Sequence, residues 1–162
     1  MNQAKPNLRA PQPGDMGWVI QQHGKLYSAE YGWNNEFEAL VARIVANMMA
    51  RHDPTRERGW IADLNGQPVG SAFVVHRNEH EAQLRLLLVS PAARGLGLGV
   101  LLTDTCIAHA RSLGYARLVL WTNANLITAR KLYARRGFVL VSSDAHHSYG
   151  HDLVGEQWEM KL

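Results

Sequence analysis

A single cysteine among 162 residues, Cys106, cannot close a disulfide within the chain, which excludes covalent staples and makes a reducing compartment the expected setting. No apolar run approaches the roughly 18 residues of a membrane-spanning helix. The polar opening Met1-Asn2-Gln3-Ala4-Lys5-Pro6 also lacks the apolar centre of a signal peptide. A cytoplasmic address with no membrane partner is therefore expected. Internal repeats, low-complexity stretches and linkers are missing too, so one domain is expected over 17–162, behind a flexible arm over 1–16 that holds Pro6, Pro11, Pro13 and Gly14. Lys and Arg number 17 against 14 Asp and Glu and are scattered, so they form no stripe for nucleic acid. A net charge of +3 still suits an anionic ligand.

What is present supports a packed core, since 46% of the residues are hydrophobic. Trp18 to Gln21 reads as a short first strand, and Leu26, Tyr27 and Tyr31 as a short helix. Phe37, Leu40, Val41, Ile44, Val45 and Met48 recur at helical spacing. The β-rich runs Trp60 to Leu64 and Val69 to Val75 meet at Asn65-Gly66, a hairpin signal. Ala82 to Val89 reads as a central strand, and a helix with Leu98, Leu101, Leu102, Thr105, Cys106 and Leu113 on one side follows. Arg117 to Trp121 is the next strand. A helix over 124–135 is capped by Asn123 or Asn125 and stopped by Gly137. Strands near 138–142 and 155–161 complete a mixed α/β sandwich with helices on both faces of one sheet.

The most informative stretch is Val89-Ser90-Pro91-Ala92-Ala93-Arg94-Gly95-Leu96-Gly97-Leu98-Gly99, where alternate glycines stand between a buried strand and a helix start. Such a turn aims backbone amides at an anion, and the helix dipole reinforces them. Arg94 adds a cation. A nucleoside-triphosphate loop is excluded, because Val100-Leu101 stands where Lys and Ser or Thr are required. A dinucleotide fingerprint is excluded as well, since Val100 replaces its third glycine and Val119 to Trp121 offer no acidic residue about twenty positions on. A plain glycine-rich turn is the alternative for the loop taken alone.

Arg94, Gly97 and Gly99 at this spacing, followed later by Asn125, Ala129, Leu132-Tyr133 and Gly137-Phe138, resemble the two motifs of the GNAT family of N-acetyltransferases. The resemblance covers Trp18 to Leu162. His23-Gly24, Glu30-Tyr31-Gly32-Trp33, Leu84-Arg85-Leu86-Leu87, Leu120-Trp121-Thr122-Asn123 and the stretch His146 to Leu153 resemble the acetyltransferase half of regulators that fuse it to a MarR-type winged helix, for which this chain has no room. A free-standing relative or an excised domain is expected.

The resemblance implies the acyl-CoA N-acyltransferase fold, a mostly antiparallel central sheet flanked by helices on both faces. It implies acetyl-CoA as co-substrate, with no metal, and a small-molecule, amino-acid or protein amino-terminal amine as acceptor. An acetyl-CoA-sensing module is the alternative, and a homodimer is possible in this family. In these terms Leu87, Leu88 and Val89 hold the pantetheine arm in a gap between splayed strands, and Arg94, Gly95, Leu96, Gly97, Leu98 and Gly99 hold the diphosphate. Asn125 and Ala129 complete the cofactor site; Asn125 either bonds pantetheine or caps its helix.

Tyr133 is the expected proton donor, because a phenol with an ordinary pKa near 10 stays protonated at neutral pH. Glu30 leads the candidates for general base over Glu79, Glu81, His147 and His151, with water as the other route. Tyr31, Trp33 and His147 are expected at the acceptor site. The residues His146, His147 and His151 invite a metal reading, but Gly150 and the neighbouring Ser and Asp residues point to a loop there. Cys106 is expected to be an inert core thiol.

Overall fold

The computed structural model describes residues 4–162. Its elements in chain order are β1 (Asn7–Arg9), α1 (Asp15–Tyr31), α2 (Asn35–Arg51), β2 (Arg58–Leu64), β3 (Gln67–His76) and β4 (Glu81–Val89). A 3-10 turn (Pro91–Ala93) leads to α3 (Leu98–Ser112), β5 (Arg117–Asn123), α4 (Ile127–Arg136), β6 (Val139–Ser148) and β7 (His151–Lys161). The strands form one seven-stranded sheet in the order β1-β2-β3-β4-β5-β7-β6. Alternation sorts its two faces. Trp60, Ala62, Leu84 and Leu118 pack with α3 on one side, whereas Ile61 and Phe73 pack with Val19 of α1 and Val41 and Val45 of α2 on the other.

The Asn65-Gly66 turn forms as its residues dictate, both in the left-handed region at φ 54° and 78°, and Asp63 accepts from the Gly66 N–H at 2.7 Å. Helix α2 begins where the Asn34 side chain accepts from the Glu36 N–H at 3.0 Å, with Glu36 and Glu38 in its first turn.

Five expectations need correction. Trp18 to Gln21 is not a strand but part of the long α1, because Val19, fully buried, is held at helical spacing against Val41, Val45, Ile61 and Phe73. The arm is not free over its length: Asn7, Leu8 and Arg9 pair with Asp63, Ala62 and Ile61 of β2. Arg9 ties it further, donating to Asp15 at 2.6 Å and to Asp63 at 3.3 Å, and this guanidinium holds the Asp15 carboxyl below its usual range. The buried stripe of α3 runs Leu98, Leu102, Cys106 and Ala110 with Thr103 and Ile107, leaving Leu101 and Leu113 exposed. Helix α4 starts at Ile127 after Leu126, without a side-chain cap, because Asn123 still belongs to β5 and Asn125 is exposed. Finally, the stretch around Gly150 is no loop but the tip of the β6–β7 hairpin, turning at Tyr149-Gly150 with φ 57° and 82°. Tyr149 is kept in that unfavourable region by burial against Trp33 and by its N–H donating to Glu36 at 3.0 Å.

One pairing positions the site. All neighbouring strands are antiparallel except β4 and β5, which run parallel and stay paired only from Glu81 to Gln83. Beyond Gln83 a bulge bends β4 away: Ala72 of β3 faces both Leu86 and Leu87, between the pairs Ser71 with Leu88 and Phe73 with Arg85. Leu86 sits at φ 52°, and the buried Ser71 hydroxyl donates to its carbonyl at 2.8 Å, which pins the bulge. A wedge opens between the two strands.

Candidate active site

Two cavities meet at this wedge. The larger, about 580 Å³, runs from the β4 edge at Leu87, Leu88 and Val89 past Arg94, Gly95, Gly97, Leu98 and Gly99 to α4. The smaller, about 170 Å³, is walled by α2, by Gln83 to Leu87 and by Leu120 to Asn123. Tyr27, Leu87, Leu126 and Ala129 line both.

The larger cavity is walled by glycine backbone, cations and a strand edge. Gly95 and Gly97 lie in the left-handed region at φ 80° and 73°, and a side-chain carbon added at either would meet open space. Glycine is needed there for backbone conformation, not for room. Gly97 caps α3 without any side-chain bond, so the first amides of the helix point outward unpartnered. Arg94, Lys131, Arg135 and Arg136 bring positive charge to the same walls. Past Gln83 the β4 edge that faced β5 has no strand partner, which leaves backbone groups on that edge unpaired by the sheet.

The smaller cavity has a different character. Tyr27, Trp33, Phe37 and Tyr149 form an aromatic cluster with ring centres 4.6–5.2 Å apart across its contacts. Tyr133 faces it from α4, only 6% exposed, and burial pushes its phenol pKa well above the ordinary value. The hydroxyl therefore stays protonated throughout the neutral range, and it makes no hydrogen bond to another described residue. Beneath it the Cys106 thiol is fully buried, with its pKa raised by the same desolvation, which leaves no thiolate for nucleophilic work.

A glycine-rich cradle thus opens through a strand wedge onto an aromatic pocket. The profile of the Acetyltransferase (GNAT) family matches residues 18–138. The chain belongs to the GNAT family. An uncharacterised N-acetyltransferase of Schizosaccharomyces pombe is 33% identical over 127 residues, 76% of this chain and 74% of that protein. A mycothiol acetyltransferase of Beutenbergia cavernae is 28% identical over 159 residues, which cover 88% of this chain and 51% of that protein. Among solved structures, a Salmonella typhimurium acetyltransferase with its cofactor acetyl-CoA superposes with a TM-score of 0.76 at 18% identity, covering 98% of this chain and 95% of that one. The GNAT fold, with its mixed sheet between helices, is thus the fold of this protein.

Within this GNAT domain, nine of the eleven residues expected at the cofactor line the larger cavity. Leu96 and Asn125 do not, and both are exposed. Of the expected acceptor residues only Trp33 lines the smaller cavity; Tyr31 faces the larger one. His147 lines neither, and its Nδ1 lies 2.8 Å from Asp152 on the exposed hairpin. Strand alternation turns its neighbour the other way: His146 is half-buried, 2.8 Å from the Asn123 side chain that lines the pocket. Glu30 sits at the larger cavity in an ion pair with Arg94. Among the described residues no three His, Cys, Asp or Glu side chains converge as a metal site, and no helix is long and apolar enough to cross a membrane.

Sequence reasoning gave Tyr27 and Arg85 no site role of their own, although Arg85 lies in one of the stretches that carry the resemblance. Tyr27 spans both cavities beside Tyr133, and helical spacing from Glu30 and Tyr31 was its only advance signal. Arg85 is the one charge in the run Ala82 to Val89, which is otherwise apolar apart from Gln83.

Proposed function

We propose that this protein transfers the acetyl group of acetyl-CoA to a primary amine of a small molecule, an amino acid or a protein amino terminus. The observation that carries the reading is the β4–β5 wedge, which joins a cation-lined glycine cradle to an aromatic pocket with Tyr133 on its wall. Gly95, Gly97, Gly99 and Arg94 would hold the diphosphate, and the free edge at Leu87, Leu88 and Val89 would take the pantetheine amides as a further strand takes its neighbour. The thioester supplies an acyl carbon open to attack.

In this reading a backbone amide near the Leu86 bulge faces the carbonyl oxygen and stabilises the negative charge that gathers there. The amine nitrogen bonds to the acyl carbon as the carbon–sulfur bond breaks. Tyr133 gives its proton to the departing thiolate and regains one from solvent. The amine's own proton goes to water, because no carboxylate lines the acceptor pocket. Glu30 can act as base only after its ion pair with Arg94 opens.

Saturable calorimetric binding of acetyl-CoA, followed by amine-dependent release of free thiol, is the expected result. Folded protein with no affinity for acetyl-CoA would retire the proposal. Resemblance to the fused regulators predicts another outcome, binding without release. Tyr133 stands against it, since sensing needs no acid.

A further inference from the structure

The acceptor pocket carries an unbalanced charge. No Asp or Glu is among its lining residues. His23 is fully buried there, burial lowers its pKa to about 4, and its Nδ1 is engaged with the Val19 carbonyl at 2.7 Å, so it is neutral at physiological pH. Arg85 is left as the one formal charge on the wall.

Elsewhere in this protein a guanidinium that leaves bulk water brings a carboxylate with it. Arg130 donates to the buried Glu156 at 2.7 and 3.2 Å, Arg9 to Asp15 at 2.6 Å, and Arg117 to Glu81 at 2.9 Å. Arg85 is half-buried yet makes no ion pair or hydrogen bond among the described residues. Desolvation lowers its pKa, and the like charge of Arg77 adds to that effect. An unpaired desolvated cation is unfavourable unless something else supplies the anion. Its position is specific as well. Arg85 stands opposite Phe73, two residues beyond the last β4–β5 pair, at the rim of the wedge.

We propose that Arg85 binds a carboxylate of the acceptor, which makes the substrate class compact amines that carry a carboxylate on a largely apolar body, such as apolar α-amino acids. The planar fork of the guanidinium matches a carboxylate with two parallel hydrogen bonds. Trp33, Phe37 and Ile44 would cover the apolar body. A protein amino terminus, with an amide in place of the carboxylate, is then a poor acceptor. This inference rests on the acetyltransferase reading above and narrows it.

The test compares L-phenylalanine with L-phenylalaninamide, and L-leucine with L-leucinamide, by thiol release, with each kcat/KM corrected for the fraction of free amine. The native protein is expected to favour the carboxylate member at least ~10-fold, the scale of one charge-assisted pair. Arg85→Gln should bring that ratio near one, and Arg85→Lys should restore part of it. Equal use of both members by the native protein, or equal losses for both in Arg85→Gln, overturns the inference. A second measurement needs no turnover: N-acetyl-L-phenylalanine and its amide are titrated into protein saturated with coenzyme A. Tighter binding of the carboxylate that disappears in Arg85→Gln supports the inference, and indifference between the two overturns it. Acetyl-CoA affinity, measured on the same samples, reports separately on the underlying reading: if it persists without carboxylate preference, only the inference about Arg85 fails.

Discussion

The two cavities on either side of the β4–β5 wedge solve opposite problems with the same scaffold. The larger presents backbone: left-handed glycines, uncapped amides of α3 and a strand edge left free, with cations at the periphery. The smaller presents side chains, an aromatic box that includes the phenols of Tyr27, Tyr133 and Tyr149 together with one cation, Arg85. Backbone recognition tolerates sequence change, provided that the φ angles survive. Side-chain recognition does not, so under the proposed function acceptor choice can diverge while the glycine cradle stays the same.

The sharpest way to break this contrast is Tyr133→Phe. Loss of one hydroxyl from the smaller cavity should lower kcat by about 10²–10⁴-fold, the usual range for a general acid, with little effect on acetyl-CoA binding. Steady-state kinetics alongside calorimetry checks both halves; full turnover removes the acid role.

His23 tests whether burial keeps an imidazole on the wall of the smaller cavity neutral. Its folded pKa, about 4, lies below the ordinary value of 6.5, so the unfolded chain binds the proton first. Stability is then complete above pH 6.5, declines as pH falls towards 4, and loses roughly 3 kcal/mol over that window. Denaturant melts from pH 7 to pH 4 should show a clearly shallower decline for His23→Gln than for the native chain. Identical slopes would mean that His23 already titrates in the folded state.

Gly97→Val probes the backbone side. A branched residue at φ 73° is strained by at least ~1–2 kcal/mol, although its side chain meets no neighbour. Acetyl-CoA affinity should fall about 10-fold or more by calorimetry, while the selectivity among acceptors stays as it was. A change in acceptor preference at unaltered acetyl-CoA affinity would merge the two cavities into one.

The smallest effect is expected for Glu30→Gln. Its partner Arg94 is more than half exposed, and such surface pairs are worth about 0–1 kcal/mol. Acetyl-CoA affinity should shift less than about fivefold, and the pH dependence of kcat should keep its shape. Disappearance of the acidic limb of that profile would make Glu30 the base after all.

Much of this was legible locally. The Asn65-Gly66 hairpin, the α2 stripe, the glycine run before α3 and the stop at Gly137 depend on residues within a few positions of one another, and each formed where its chemistry demands. The first helix was not legible, because Trp18 to Gln21 is too short for its period to emerge until Val19 is packed against the sheet. The choice between His146 and His147 was equally hidden, since it depends on which face of β6 turns towards β5 and β7, and a strand places adjacent residues on opposite sides.

By itself the sequence determined the parts that are encoded within a turn or a helical period: the anion cradle, its flanking strand and helix, and the tyrosine of α4. Only the tertiary structure decided that β4 and β5 separate after Gln83, that Glu30 meets Arg94, and that Arg85 faces a pocket without a carboxylate. Those outcomes rest on register and on contacts between segments tens of residues apart, and no local preference specifies them.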